Sequence, residues 1–72
     1  MQIYFDGSER HIERNIYVGA GILIHCDTTT ELSLQFKAPQ NGMHELYAFQ
    51  EVAKWVIQNN VDYNNVVIYA VS

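Results

Sequence analysis

Residues 41–59, NGMHELYAFQEVAKWVIQN, predict the chain's one long α-helix, because apolar side chains recur along them at helical spacing. On a helical wheel, Glu45 falls on the same side as three apolar residues that should face a core, namely Phe49, Val52 and Val56. A carboxylate in the first turn of a buried face is costly unless it has a partner, and a metal ion is one such partner. Oxygen ligands from other elements would then have to join Glu45.

The composition indicates one small folded domain, since the chain has 72 residues, of which 49% are hydrophobic. Its single cysteine excludes an intramolecular disulfide framework and a multi-cysteine zinc site, so we expect a reducing, cytoplasmic location. Neither an apolar run of about 18 residues nor a signal-peptide pattern is present, and no membrane partner is expected. The net charge of −4 argues against a basic nucleic-acid surface, although divalent cations can bridge carboxylates to phosphate.

Four segments have the composition and alternation of β-strands. They are residues 2–6 (QIYFD), 16–25 (IYVGAGILIH), 31–37 (ELSLQFK) and 66–71 (VVIYAV). We expect the first strand to stop at the turn signal Gly7-Ser8, and the charged residues 9–15 to form a solvated loop. The third strand alternates cleanly, so its apolar residues should face the core; these are Leu32, Leu34 and Phe36.

A continuous apolar strand directly after a helix indicates a crossover connection that places the last strand parallel to the first. The predicted fold class is therefore α/β, more closely an α+β mixed sheet in the order β-β-β-α-β, with the helix on one face. If the first and last strands are neighbours, their carboxyl ends bring Asp6 and Val71 together. Glu45 can then overhang the same end, which is where open sheets of this kind bind ligands.

The same elements resemble the ribonuclease H family. The resemblance is carried by IYFDGS (3–8), by the glycine-bearing GAGI (19–22), by NGMHELYA (41–48) and by VIYAVS (67–72). The third of these is similar to the family's Asn-x-x-x-Glu-Leu-x-Ala helix start, and the fourth to a strand that normally closes in Asp-Ser. The match spans the whole chain but only the first half of the family's domain. We therefore expect residues 1–72 to form a single truncated ribonuclease H-like half-domain.

The resemblance implies metal-dependent hydrolysis of the RNA strand in RNA–DNA hybrids, which would be the partner. In that family four carboxylates hold two magnesium ions, one of which helps to generate the attacking hydroxide. Asp6 and Glu45 match the first two carboxylates and are the expected catalytic and metal-binding residues. Asn41 matches an asparagine that contacts the backbone of the hybrid, and Gly7 and Ser8 are the other expected substrate-binding residues.

Two departures from the family pattern bear on activity. The position of the third carboxylate carries Val71, and the fourth carboxylate belongs to the half of the domain that the resemblance does not cover. Two carboxylates cannot easily hold two hard cations that each require about six oxygen ligands. We expect a catalytically degenerate module that binds Mg²⁺ or Mn²⁺ weakly. The alternative is an active Mg²⁺-dependent ribonuclease H completed by carboxylates from a partner or a second subunit.

A simpler interpretation of each acid stays open. Asp6 precedes Gly-Ser and could serve only as a residue that ends a strand in a turn. Glu45 could act only as a first-turn acid that complements the helix dipole, an effect of about 0.3–1 kcal/mol.

The apolar surface also predicts self-association. Apolar positions cover more than half the circumference of the helix, and the last strand would be an exposed apolar edge, which is a hazard for uncontrolled pairing. We therefore expect a homodimer that forms through residues 66–71, through the helix at residues 43–59, or through both.

Overall fold

The computed structural model describes residues 1–71. Within them, a four-stranded mixed sheet carries one α-helix on one face. The elements are β1 (Gln2–Ile12), β2 (Asn15–His25), β3 (Thr29–Ala38), α1 (His44–Gln58), a 3₁₀ turn (Tyr63–Asn65) and β4 (Val67–Ala70). The strand order is β3-β2-β1-β4; β2 pairs antiparallel with both neighbours, and β4 pairs parallel with β1. The predicted mixed α+β sheet is confirmed.

The first strand is twice as long as its apolar pattern predicts. β1 does not stop at Gly7-Ser8 but continues to Ile12, which pairs with Asn15 across a two-residue turn. Glu13 and Arg14 make this turn with φ angles of 49° and 69°. Positive φ at both central residues gives a hairpin turn whose twist matches that of the strands. The solvated loop expected at residues 9–15 is therefore wrong, because backbone pairing with β2 keeps these polar residues extended.

The hydrophobic core lies between α1 and the two central strands. Its members come from all three elements: Ile3, Phe5, Ala20, Ile22, Ile24, Ala48, Val52 and Val56. The part of the expected helix face nearest its start is not buried, since Glu45 is exposed and Phe49 is 43% exposed. Phe49 borders an open groove beside Ile68 at the edge of the sheet. β4 ends at Ala70 opposite Phe5, so within residues 1–71 it does not extend beneath the first turn of α1.

The apolar residues of β3 lie on the helix side of the sheet, as their pairing with buried residues of β2 shows. They are nevertheless covered only in part, because α1 lies mainly over β1 and β2. Leu32 and Phe36 are half-buried, and the ring of Phe36 meets that of Tyr47 edge-on at 5.9 Å. Leu34 is 39% exposed, so it lies on the expected face of the sheet but is not buried in the core.

Candidate functional site at the carboxyl ends of β1 and β4

The parallel pairing of β1 and β4 brings Asp6 and position 71 to the same end of the sheet. Phe5 pairs with Ala70, and the N–H group of Val71 donates to the carbonyl oxygen of Phe5 at 2.8 Å. Asp6 is the next residue of β1, so the acid and the valine lie side by side, as the strand order predicts. Val71 is exposed and offers a hydrocarbon side chain at this end of the sheet.

A close approach between β1 and the start of α1 joins the segments that carry the two acids. A Cβ atom at Gly7 would lie only 2.5 Å from the carbonyl oxygen of His44, so the helix backbone rests directly on this glycine. Gly7 follows Asp6, and His44 precedes Glu45. One turn further on, the Phe49 ring meets that of Phe5 at 5.8 Å. Glu45 therefore lies beyond Phe5, towards the carboxyl ends of the strands.

The two acids reach this end of the molecule from opposite faces of the sheet. Phe5 is buried beneath α1, and side chains alternate along a strand, so Asp6 projects from the face that α1 does not cover. Glu45 belongs to the helix on the other face, and both residues are exposed. Within residues 1–71, no group of three or more His, Cys, Asp or Glu side chains is arranged to hold a metal ion.

Ser8 and Gly7, both expected to bind substrate, have different surroundings. Ser8 lies on the same open face as Asp6, above Gly19, where an added Cβ would be 2.8 Å from the Ser8 hydroxyl. Asp6, Ser8, Gly19 and Gly21 help to line a groove of about 310 Å³, of mixed polarity, on the face of the sheet that α1 does not cover. Gly7 also borders this groove, but it packs against the helix backbone as well, so its role in this geometry is to let α1 approach β1.

Glu9 anchors the loop that carries Asn41, a role that the sequence did not suggest. One oxygen of Glu9 accepts the Gly42 N–H at 2.7 Å, and the other is 2.8 Å from Nε2 of His11. The His11 hydrogen bond, followed by that of Gly42, holds the pKa of Glu9 below its usual range. Gly42 has a φ of 76°, a conformation that favours glycine. Asn41 is exposed next to this anchored residue.

The signal that could have found Glu9 is the spacing of Glu9 and His11, two residues apart on a strand and therefore on the same face. This spacing is informative only if residues 9–12 are assigned to β1, and the polarity of these residues favoured a loop instead.

Comparison with known proteins does not assign the chain to a family. No protein-family model matches the chain, and no curated protein matches it. No helix in the described part of the chain is long and apolar enough to cross a membrane.

Proposed function

We propose that the chain is a ribonuclease H-like module, a half-domain related to the metal-dependent endonucleases that cut the RNA strand of RNA–DNA hybrids, and that its catalytic site is degenerate. The observation that carries the proposal is the parallel pairing of β1 with β4, which sets Asp6 beside position 71. The close approach of Gly7 to the backbone of His44 brings Glu45 towards the same end of the sheet, and this arrangement supports the resemblance that the DGS, NGMHELYA and VIYAVS segments carry.

The donor set does not fit two magnesium ions, and this supports the degenerate form of the proposal. Val71 contributes no oxygen at the end of β4, and Asp6 and Glu45 approach from opposite faces of the sheet. Two octahedral ions need about twelve oxygen ligands between them, which two separated carboxylates and water supply poorly. Asp6 and Glu45 are the residues that would hold a single Mg²⁺ or Mn²⁺, and two carboxylates alone would hold it weakly. No hydrolytic step through metal ions follows from this set of residues.

Binding of a hybrid would depend on such a cation. The chain carries eight acidic against four basic residues, so its net charge opposes contact with a phosphate backbone. A divalent ion near Asp6 and Glu45 would reduce that repulsion locally. Asn41, held in place through Gly42 and Glu9, is an exposed amide that can donate to a phosphate oxygen at the same end of the molecule.

The proposal is tested by hybrid binding, measured as the fluorescence anisotropy of a labelled RNA–DNA duplex with and without about 10 mM Mg²⁺. We expect weak, Mg²⁺-dependent binding that Asn41→Ala reduces several-fold. Gln58→Ala is the matched control, since it removes another exposed amide at the far end of α1 and should change nothing. Binding that Asn41→Ala leaves intact, or no binding at all, would contradict the proposal.

A cleavage assay on the same duplex separates the degenerate module from the active alternative. We expect no cleavage above background, and no difference between the wild-type chain and Glu45→Gln. Mg²⁺-dependent cleavage that Glu45→Gln and Asp6→Asn both abolish would establish instead an active ribonuclease H whose further carboxylates come from a second subunit.

A further inference from the structure

The outer side of β4 presents unpaired backbone groups. The N–H groups of Val67 and Val71 donate to carbonyl oxygens on the β1 side, at 3.0 and 2.8 Å. Because backbone groups alternate in direction along a strand, the N–H and C=O groups of Ile68 and Ala70 point away from β1. Within residues 1–71, β4 is the last strand of the sheet on this side, so these groups pair with no strand there.

The side chains beside this edge are apolar and exposed. Their exposure runs from 37% for Ile68 to 71% for Tyr63. An apolar groove of about 240 Å³ follows the edge between β4 and α1, on the helix side of the sheet. We call the exposed apolar residues along this edge the β4 edge patch: Phe49, Ile57, Tyr63, Val67, Ile68, Tyr69 and Val71.

The charge of the patch limits what can cover it. The strand that forms this edge has no charged side chain over residues 66–71, whereas the whole chain carries a net charge of −4. Two copies of an acidic protein repel each other at most orientations, but they can meet at a surface without charge. Burying such a surface against a charged partner would instead desolvate that partner's charges without compensation.

The opposite edge of the sheet is protected, which decides the symmetry of the contact. β3 carries Glu31 and Lys37 and is followed by Pro39, and charged residues and proline are the features that discourage pairing at sheet edges. A head-to-tail contact of β4 with β3 of another copy would therefore pair unlike edges, one of them charged. A two-fold contact uses the uncharged edge of both copies.

We infer that the β4 edge patch binds a second copy of the chain, with β4 antiparallel to the β4 of that copy. One register pairs all the N–H and C=O groups of Ile68 and Ala70 that point away from β1. In it, Ile68 of each copy exchanges hydrogen bonds with Ala70 of the other, and Tyr69 faces Tyr69 across the two-fold axis. That axis is perpendicular to the sheet, so both α1 helices lie on the same face and the two apolar grooves join. This inference does not depend on the proposed function.

Sedimentation velocity of the 72-residue chain tests the inference. We expect a species of about twice the monomer mass of 8.3 kDa at tens of micromolar. The sharpest variant is Ala70→Pro, because the N–H group that proline removes points away from β1 and is not needed by the monomer. We expect it to weaken dimerisation at least about tenfold while the far-UV circular dichroism of the fold is retained.

A matched pair of lysine variants provides the control. Ile68 and Leu34 are 37% and 39% exposed, but only Ile68 belongs to the β4 edge patch. Ile68→Lys should therefore give monomer, and Leu34→Lys should leave the dimer intact. Equal effects of the two substitutions would overturn the inference, as would a wild-type chain that is monomeric at about 100 µM. Species that keep growing with concentration would show head-to-tail pairing and exclude the two-fold contact.

The register has its own test. Facing residues of a non-hydrogen-bonded pair have Cβ atoms about 4.5–5.5 Å apart, close to the span of a disulfide. Tyr69→Cys, made together with Cys26→Ser to remove the exposed native thiol, should form an intermolecular disulfide on mild oxidation. Leu34→Cys in the same background should not, and a failure of the Tyr69→Cys chain to cross-link would exclude this register.

Discussion

Gly7→Ala should destabilise the fold through one clash between β1 and α1. The added Cβ would lie 2.5 Å from the carbonyl oxygen of His44, 2.8 Å from its carbonyl carbon and 3.2 Å from the Cβ of Ala48. Two of these atoms belong to the backbone and cannot rotate away, so α1 has to move off the strand. Overpacking of this kind costs about 1–3 kcal/mol. In a domain of this size each 1 kcal/mol lowers Tm by about 4–8 °C, so we expect a loss of about 5–20 °C.

Two other glycines of the same sheet serve as controls. A Cβ at Gly21 meets nothing within 4 Å, so Gly21→Ala should be neutral or should stabilise the fold by about 0.4–1 kcal/mol through the unfolded chain. A Cβ at Gly19 meets the Ser8 hydroxyl at 2.8 Å, and this group can rotate away at little cost. From the most to the least stable variant, the expected order is therefore Gly21→Ala, Gly19→Ala and Gly7→Ala. Urea unfolding followed by circular dichroism measures it, at one protein concentration because a dimer's stability depends on concentration.

The result that would refute this reasoning is equal urea midpoints for Gly7→Ala and Gly21→Ala. The start of α1 would then not rest on Gly7. Glu45 would lose the contact that holds its helix turn beyond the end of β4, and the candidate site would lose its geometric basis.

Two further predictions concern Glu9, which anchors the loop at Gly42, and Val71, which stands where the resemblance expects a carboxylate. Glu9→Gln should lower the stability of the fold at neutral pH and make that stability less sensitive to acid. The His11 and Gly42 hydrogen bonds keep the pKa of Glu9 low. The contribution of the Glu9 carboxylate is therefore present at neutral pH and is lost as the pH falls through that lowered value. Urea midpoints at about pH 7 and about pH 3 measure this, and a variant-to-wild-type difference that is the same at both would contradict it. Val71→Asp adds an oxygen ligand beside Asp6 and should strengthen Mg²⁺ binding about tenfold by calorimetry, with little gain in hybrid cleavage. Val71→Asn, which is similar in size but uncharged, is its control.

Apolar periodicity predicted most of the fold because the elements that build the core follow it. The helix predicted at residues 41–59 is observed at His44–Gln58, and the apolar segment after it is the strand parallel to β1. The second half of β1 could not be predicted in this way. Its residues lack apolar alternation, and Glu13 and Arg14 make a turn with positive φ angles that neither residue type favours. What keeps this segment extended is pairing with β2, which a local pattern does not contain.

The sequence predicted which end of the sheet carries the candidate site, but it did not predict that Glu45 would be exposed. The helical wheel aligns Glu45 with Val52 and Val56, and those two residues are buried. Whether Glu45 is buried too depends on how far β4 extends beneath it, and β4 stops opposite Phe5. Alternation along β1 correctly separates Phe5 from Asp6. The sequence of one strand does not show, however, which face of the sheet the helix covers. Because α1 covers the face that carries Phe5, Asp6 and Glu45 approach from opposite sides.

Self-association and metal binding should be separable, because the β4 edge patch brings no oxygen ligand to the candidate site. In the two-fold register, the residue opposite Val71 is Val67 of the second copy, so the dimer brings no carboxylate to the position where the resemblance expects one. For a dissociation constant of about 10 mM, 10 mM Mg²⁺ stabilises the fold by about 0.4 kcal/mol, or about 2–3 °C in Tm. Ala70→Pro should lose the dimer and keep this shift, whereas Glu45→Gln should keep the dimer and lose the shift. If Ala70→Pro abolished both, a carboxylate of the second copy would have to complete the site, and the active alternative would gain the support that the edge residues themselves do not give it.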